Sequence, residues 1–196
     1  MRVSLAIILL FLSVSTNAQL FDSIKNAFNY KPKPLVSLET RNAFITNSLV
    51  KVRAIKAGVS FNNTVRIGLS YNWLKDDTAS SFDSTKNVKL NYVAPFFEYT
   101  FYKDQRFAFA IPIKLGFGSA FYKNDKDEIS DRQFVATYEP AMLAEVRFLR
   151  YFAVGGGVGL RLMLKDNRLL REQLNSPIYI FGFKIYFDTL KEDFIR

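Results

Sequence analysis

The sequence predicts an all-β fold: a closed, antiparallel, up-and-down transmembrane β-barrel of about eight strands, preceded by a short amphipathic segment. Three observations predict this fold. From residue 35 onward, hydrophobic residues alternate with small or polar ones at the period of two that is typical of β-strands. After residue 18, no apolar run approaches the roughly 18 residues that a transmembrane helix needs. Yet 49% of the 196 residues are hydrophobic and 16% are aromatic, so this apolar content must be spread over short segments.

Residues 1–18 have the pattern of a secretory signal peptide. Arg2 provides a positive start, residues 5–12 form an unbroken apolar run, and Ala18 ends a stretch of small residues before Gln19. The run is too short to span a bilayer as an anchor, so we expect export and cleavage. The chain contains no cysteine. Disulfides, thiolate metal sites and lipid attachment to cysteine are therefore excluded.

Residues 19–34 form an amphipathic segment and linker. The hydrophobic residues that recur there at helical spacing are Leu20, Phe21, Ile24, Ala27 and Phe28. The Lys-Pro-Lys-Pro sequence at 31–34 ends the pattern, because proline interrupts a helix. The segment is expected to lie as a short helix in the membrane interface, with lysines near lipid headgroups. Two alternatives are docking under the barrel and disorder before folding.

The barrel is expected over residues 35–187. Alternation is clearest where Phe107, Phe109, Ile111 and Ile113 are separated by small residues and Pro112. Eight such runs cover residues 35–44, 50–61, 64–74, 88–102, 106–122, 134–148, 151–164 and 178–187. Several of them exceed the roughly five or six residues of an average soluble strand and suit a tilted membrane strand of about 9 to 11.

Short and long connections alternate along the chain. The connections at 62–63, 103–105 and 149–150 are tight, with Asn62-Asn63 as the clearest two-residue turn. Those at 75–87, 123–133 and 165–177 are longer and polar. Outer-membrane barrels have short periplasmic turns and longer extracellular loops, so both termini are expected in the periplasm.

Three prolines, Pro95, Pro112 and Pro140, fall inside predicted strands. Proline cannot donate to a ladder, and a closed barrel has no free edge to accommodate it. We therefore expect β-bulges at these positions or different strand boundaries. The first run, which contains Glu39, Arg41 and Asn42, alternates least clearly.

Alternate residues of a strand point to opposite faces of the sheet. The set expected to face outward predicts two aromatic girdles of the kind that mark membrane–water interfaces. At the end with the tight turns the girdle comprises Phe61, Phe101, Phe107, Phe148, Phe152 and Phe187. At the end with the long loops it comprises Tyr71, Trp73, Phe121 and Phe134.

The charged side chains of the strands occupy the other set of alternate positions, which would face inward. These are Glu39, Arg41, Lys56, Arg66, Glu98, Lys114, Glu139, Glu145, Arg147, Arg161 and Lys184. Charges on a lipid-facing surface cost about 2 to 4 kcal/mol at the bilayer midplane, so they are expected in the lumen. An eight-stranded barrel is just wide enough for side chains to fill. We predict a packed salt-bridge core without a conducting pore. The alternative is that Glu98, Glu139 or Glu145 acts as part of a catalytic acid/base pair.

Other candidate sites have simpler explanations. The glycine-rich run at 155–159 lacks the following helix of a phosphate-binding loop, because alternation continues through Arg161. Asp125, Asp127, Glu128 and Asp131 do not match the EF-hand spacing and are expected in a solvated loop. The chain has no histidine, which excludes Ser-His-Asp catalysis and histidine-ligated zinc. We therefore predict no enzyme, no cofactor and no metal.

The C-terminal part of the barrel resembles an assembly signal. Gly182 is followed by Ile185 and Phe187 at the third and fifth places, as in strands that the barrel-assembly machinery recognises. With the signal peptide and the alternating strands, the chain resembles the outer-membrane β-barrel domain proteins common in Bacteroidota, with a size similar to OmpX-like barrels. Two departures are Ile180, where a polar residue is usual, and residues 188–196, which would be a short periplasmic tail. The resemblance implies outer-membrane localisation and assembly by that machinery.

The predicted function is a non-enzymatic envelope, adhesion or accessory role in the outer membrane. The expected partners are outer-membrane lipid, the barrel-assembly machinery during biogenesis and an unidentified envelope protein. Nucleic acid is excluded as a partner because the chain is exported and its basic residues, which give a formal charge of +9, are scattered. The alternatives are a histidine-independent lipid-modifying enzyme and a secreted, soluble, lipocalin-like binding barrel with its apolar parity inward.

Overall fold

The computed structural model describes residues 20–45, 48–74, 78–79, 86–124, 129–148, 151–164 and 175–186. These residues form one helix, α1, over residues 20–28 and nine strands. The strands are β1 (Lys33–Ile45), β2 (Ser48–Phe61), β3 (Val65–Leu74), β4 (Thr78–Ala79), β5 (Lys86–Lys103), β6 (Phe107–Asn124), β7 (Ile129–Phe148), β8 (Phe152–Met163) and β9 (Ser176–Tyr186).

Eight of these strands form a closed ring. Each long strand pairs antiparallel with its neighbour in sequence, β3 pairs directly with β5, and β9 pairs with β1 to close the sheet. Strand β4 adds only two residue pairs to β5 and lies outside the ring. The predicted fold class, an eight-stranded antiparallel up-and-down barrel, is confirmed. Because the ring is closed, none of its strands has an unpaired edge. Such an edge, in an open sheet, can pair with another chain.

Each predicted run overlaps one strand of the ring, and the largest difference is that β7 begins at residue 129 and not at residue 134. Strands β5 and β6 have 18 residues each and β7 has 20. The β6–β7 hairpin continues through Lys123 and Ile129, so its connection is residues 125–128 and not 123–133. Backbone hydrogen bonds continue the ladder there without the apolar alternation from which the strand ends were predicted. The β1–β2 connection is also short, at residues 46–47.

The two ends of the barrel differ in their connections. The end that carries residues 62–64, 104–106 and 149–151 is called the turn end, and β1 begins and β9 finishes there. The opposite end, with residues 46–47, 75–85, 125–128 and 164–175, is called the loop end. Asn62 and Asn63 have φ angles of 49° and 53°, and the Thr64 amide donates to the Phe61 carbonyl at 2.9 Å. This is the geometry of a type I′ hairpin turn, and it confirms the predicted Asn62-Asn63 turn.

The prolines do not produce the expected bulges. The register is the same on both sides of Pro95, as the pairs Val93–Phe117 and Phe96–Lys114 show, and it is also unchanged across Pro112 and Pro140. The prediction of bulges or different boundaries was therefore wrong. A proline only removes its own N–H from the ladder, and the neighbouring pairs hold the register. The register shifts occur elsewhere, between Thr100 and Tyr102 and between Ala120 and Tyr122.

Helix α1 lies against the outside of the barrel at the turn end. The Phe28 ring contacts the Phe61 ring with centroids 4.8 Å apart, and Ala27 is buried. Leu20 and Phe21 remain exposed. Backbone hydrogen bonds from Asn29 and Tyr30 close the last turn of the helix. Among the described residues, no helix is long and apolar enough to cross a membrane.

Candidate functional site

The barrel places its apolar parity outward and its charged parity inward. Leu38, Ile55 and Leu69 are among many large hydrophobic side chains that are exposed on the outer surface. Every charged residue predicted for the lumen is buried except Arg147. The soluble lipocalin-like alternative requires the opposite orientation, with apolar side chains inside, so the structure does not support it.

Most of the predicted girdle residues lie on the outer surface near the two ends. At the turn end, Phe148, Phe152 and Phe183 form a ring cluster with centroids 5.4–6.4 Å apart. The sequence analysis missed Phe183, although it shares the outward parity of β9. Near the loop end, Tyr71 stacks on Trp73 at 5.6 Å. The remaining exposed or half-exposed aromatic residues of the prediction are Phe61, Phe101, Phe107 and Phe134.

Phe121 does not join this exposed group. Its side chain is only 8% exposed, and the Arg132 guanidinium lies 5.5 Å from its ring centroid. The β6–β7 register shifts at this point, between Ala120 and Tyr122, which explains why simple alternation misplaced it. Phe187, predicted for both the girdle at the turn end and the assembly signal, lies outside the described residues. Gly182 and Ile185 of that predicted signal lie on β9.

The part of the lumen nearest the turn end holds one half of an ion-pair network. Glu98 accepts from Lys56 at 3.0 Å and from Lys184 at 3.3 Å, and it also pairs with Arg66. Glu145 pairs with Lys184 and lies 3.2 Å from Arg66. Two carboxylates therefore share three cations drawn from β2, β3 and β9.

The other half of the network centres on Glu39 and Glu139. Glu39 lies 2.8 Å from Arg41, from Lys56 and from Lys114. Lys56 therefore joins the two halves. Glu139 pairs with Arg41.

Glu139 also accepts hydrogen bonds from Arg161 at 2.7 Å and from the Tyr92 hydroxyl at 2.8 Å. The Arg161 side chain in turn donates to the Tyr92 oxygen at 3.0 Å. The sequence analysis missed Tyr92 because it listed only charged side chains, although Tyr92 has the same parity on β5 as Glu98. Burial of these groups without partners would be costly, so the network stabilises the positions of all of them.

Six cations and four carboxylates take part in this network among the described residues, so its formal charge is positive. Arg147, the seventh predicted cation, is half-buried nearer the turn end. Each glutamate has at least two basic partners, which is unlike a carboxylate pair arranged for acid/base catalysis. The cavity beside Glu145 and Lys184 measures about 20 Å³, whereas small-molecule sites are typically about 300–1,000 Å³.

Toward the loop end an apolar cluster is buried in the lumen. It comprises Ala43, Val50, Val52, Leu74, Val88, Leu90, Tyr92, Ala94, Ala120, Tyr122, Val135, Ala141, Leu143, Ile178 and Ile180, with Met163 packed against it. The inward glycines of β8 allow close approach: a Cβ on Gly157 would lie 2.1 Å from the Met142 carbonyl oxygen. The glycine-rich run is therefore part of a packed strand. The interior thus has two layers, which we call the charged layer and the apolar layer.

The turn end opens into a cavity of about 350 Å³, which we call the vestibule. It is lined by Asn62, Asn63, Arg66, Lys103, Asp104, Gln105, Arg106, Phe107, Ala108, Glu145, Arg147 and Ala153. The Lys103 ammonium is held at its rim by hydrogen bonds to the Asn62 carbonyl at 2.6 Å and the Thr64 hydroxyl at 3.1 Å. The sequence analysis treated residues 103–105 only as a turn, so it missed this basic concavity.

The acidic loop that was predicted to be solvated lies only partly within the described residues. Asp125, Asp127 and Glu128 lie outside the described residues, and Asp131 lies on β7 with a φ of 52°. In the part of the chain that the structure describes, no group of three or more acidic, histidine or cysteine side chains could hold a metal ion. The predicted signal peptide and the predicted C-terminal tail also lie outside the described residues.

Fold and interior together define a small closed eight-stranded β-barrel with charged side chains buried in its interior. Similar solved structures include the N-terminal β-barrel domain of Pseudomonas aeruginosa OprF, with 13% identity and a TM-score of 0.56. Neisserial surface protein A (NspA) has 16% identity and a TM-score of 0.56. Ail, the attachment invasion locus protein of Yersinia pestis, has 9% identity and a TM-score of 0.54 in a complex with a heparin analogue, sucrose octasulfate.

Each comparison covers 79% of this chain and 96–98% of the other chain. At these identities the likeness is one of fold. No protein-family model matches the chain, and no curated protein matches it either.

Proposed function

We propose that the protein is an integral outer-membrane β-barrel with a closed lumen and a non-enzymatic envelope or adhesion role. The observation that carries the proposal is the inverted distribution of side chains, with charges in the interior and hydrophobic side chains outside. Soluble monomers rarely expose large contiguous apolar patches. A bilayer would cover this outer surface, and the closed ring satisfies the backbone hydrogen bonds that lipid cannot.

The turn end is assigned to the periplasm and the loop end to the outside of the cell, since outer-membrane barrels have short periplasmic turns. Helix α1 would then lie in the periplasmic leaflet. Its contact with Phe61 and the exposure of Leu20 and Phe21 support this position. Exposed Lys25 and Lys31 would lie near lipid phosphates.

Two features support a lumen that does not conduct. In the charged layer, the ion-pair network joins side chains from strands across the lumen. Nearer the loop end, the apolar side chains pack together in the lumen. An eight-stranded barrel leaves little room between such side chains. Purified protein in planar lipid bilayers should therefore give a conductance at the background level, and stable, reproducible channel openings would contradict a closed lumen.

An adhesion role is supported by the fold shared with Ail, whose name describes an attachment protein. Relationship to the Bacteroidota outer-membrane barrels and recognition by the barrel-assembly machinery rest on the sequence pattern. A role as accessory to another envelope protein would use the same scaffold. The lipid-modifying alternative has less support, because Glu98, Glu139 and Glu145 are each engaged by cations.

The decisive experiment is fractionation followed by a gel in which one sample is boiled and one is not. We expect the protein in the outer-membrane fraction, with unboiled protein migrating differently because the barrel resists unfolding in detergent. Recovery only from the soluble periplasmic fraction, with identical migration of both samples, would overturn the proposal. An adhesion role would be tested separately by binding of cells that display the protein to immobilised host matrix.

A further inference from the structure

An aromatic groove lies on the outer surface at the turn end, between β5 and β6. It is a shallow, open depression of about 460 Å³, bordered by Phe101, Tyr102, Phe107 and Phe109. Phe109 contacts Phe101 and Tyr102 with ring centroids 6.3 Å and 5.8 Å away. All four bordering side chains are exposed aromatic rings, so the groove continues the apolar outer surface of the barrel.

A β-bulge creates this groove. The β5–β6 register shifts between Thr100 and Tyr102, which leaves Phe101 without an opposite partner on β6. In a regular strand Phe101 and Tyr102 would point to opposite faces, but here their exposed fractions are 48% and 51%. A bulge can redirect a side chain in this way. Two consecutive aromatic residues therefore stand beside Phe107 and Phe109 on the outer surface.

The groove adjoins the basic vestibule. Phe107 lines both cavities, so the apolar wall of one begins at the rim of the other. Lys103 and Arg106 stand at this rim, with Arg66 and Arg147 deeper in the vestibule. The vestibule is lined by four cations and two acids, Asp104 and Glu145. Arg66 pairs with Glu98 and Glu145, and Glu145 also pairs with Lys184.

We propose that the groove and the vestibule rim together bind one anionic phospholipid of the periplasmic leaflet. One acyl chain occupies the groove of Phe101, Tyr102, Phe107 and Phe109, and the phosphate is held by Lys103 and Arg106. The inference rests on the proposed membrane insertion and adds a specific lipid site to it. The site complements such a lipid in two ways. The apolar acyl chain contacts aromatic rings, and the phosphate contacts the cations of the rim.

The geometry explains why this site differs from the general lipid contact of a barrel. Elsewhere on the turn-end girdle, Phe148, Phe152 and Phe183 pack on one another at similar centroid distances. The rings between β5 and β6 differ in bordering a groove that meets the basic vestibule at Phe107. The Lys103 ammonium is also positioned by Asn62 and Thr64, so it need not be ordered anew when a phosphate binds.

The test is native mass spectrometry of the full chain in a neutral detergent, titrated with dioleoyl phosphatidylglycerol and, in parallel, with zwitterionic dioleoyl phosphatidylcholine. The native protein should bind phosphatidylglycerol preferentially. The double variant Lys103→Gln/Arg106→Gln should bind it about 25-fold more weakly, at about fivefold for each cation removed. The matched control is Lys51→Gln/Arg53→Gln, which removes two exposed cations from the outward face of β2 and should leave binding unchanged.

A second pair of variants tests the groove. Phe109→Ala should weaken phosphatidylglycerol binding several-fold, whereas Phe181→Ala, which removes an exposed ring on β9, should not. Inorganic phosphate provides the third arm. If it displaces the lipid completely and Phe109→Ala has no effect, the site takes a soluble anion and the lipid proposal is overturned.

Equal binding by the native protein and both site variants would also overturn it. Heat-modifiable migration of every variant is read on the same samples. A folded, membrane-type barrel without lipid preference would therefore disprove this site and leave the proposed function intact. Loss of heat-modifiable migration by the native protein would instead contradict the proposed function itself.

Discussion

The charged layer and the apolar layer lie in the same lumen, but different interactions hold them together. In the charged layer Glu98 is completely buried and is held by Lys56, Arg66 and Lys184. In the apolar layer Leu90 is equally buried but packs without directional bonds. The same strands build both layers, and β5 contributes both of these residues.

Shape and charge are therefore constrained separately along one strand. In the charged layer a side chain must have the correct charge at the correct position, because each carboxylate is shared among several cations. In the apolar layer volume alone is constrained, and hydrophobic side chains of similar size can replace one another. Three variants test this contrast, from the largest expected effect to the smallest.

The largest effect is expected for Glu98→Gln, which keeps the side-chain size but removes the charge. Three buried cations would lose a shared partner, so the free energy of unfolding should fall by about 3–5 kcal/mol. Urea unfolding of the detergent-folded protein, followed by Trp73 fluorescence, measures this change. Asp104→Asn removes an exposed carboxylate in the β5–β6 turn and should change stability by no more than about 0.5 kcal/mol. A cost below about 1 kcal/mol for Glu98→Gln would show that the network does not constrain charge.

An intermediate effect is expected for Gly157→Ala, which adds volume where β7 and β8 approach closely. The new Cβ would meet the Met142 carbonyl oxygen at 2.1 Å and a Leu143 methyl at 2.5 Å. Overpacking of this kind costs about 1–3 kcal/mol. Gly156→Ala on the same strand is the control, because the nearest atom to its Cβ would be 3.9 Å away. Equal unfolding midpoints for the two variants would contradict tight packing between these strands.

The smallest effect is expected for Leu90→Met, which conserves volume and polarity in the apolar layer. Its cost should stay below about 1.5 kcal/mol in the same urea experiment. Because Glu98→Gln is also nearly isosteric, the two variants compare the layers directly. If Leu90→Met destabilised the barrel as much as Glu98→Gln, the apolar layer would be as specific as the charged one, and the contrast would fail.

Much of the fold followed from local pattern. The eight strands, the Asn62-Asn63 turn and the inward placement of ten charged side chains were all predicted, because alternation is a property of the pleat and is visible in each strand separately. Errors arose where alternation is interrupted or irrelevant. The register shift near Phe121 left this side chain buried, whereas alternation placed it outward. The β6–β7 hairpin also continued through polar residues. The vestibule escaped prediction because it is formed where separate turns meet.

By itself, the sequence determined which side chains share a face of each strand, since successive residues of a strand point to opposite sides. It thereby determined that the charged face had to be enclosed if the other face met lipid. Only the tertiary structure decided which charges pair, as with Arg41 and Glu139, which are 98 positions apart. Their contact depends on the register of every intervening strand and on closure through β1 and β9. Closure also brought Lys103, Arg106 and Arg147 around one opening, because a ring joins neighbouring turns that a linear pattern keeps apart.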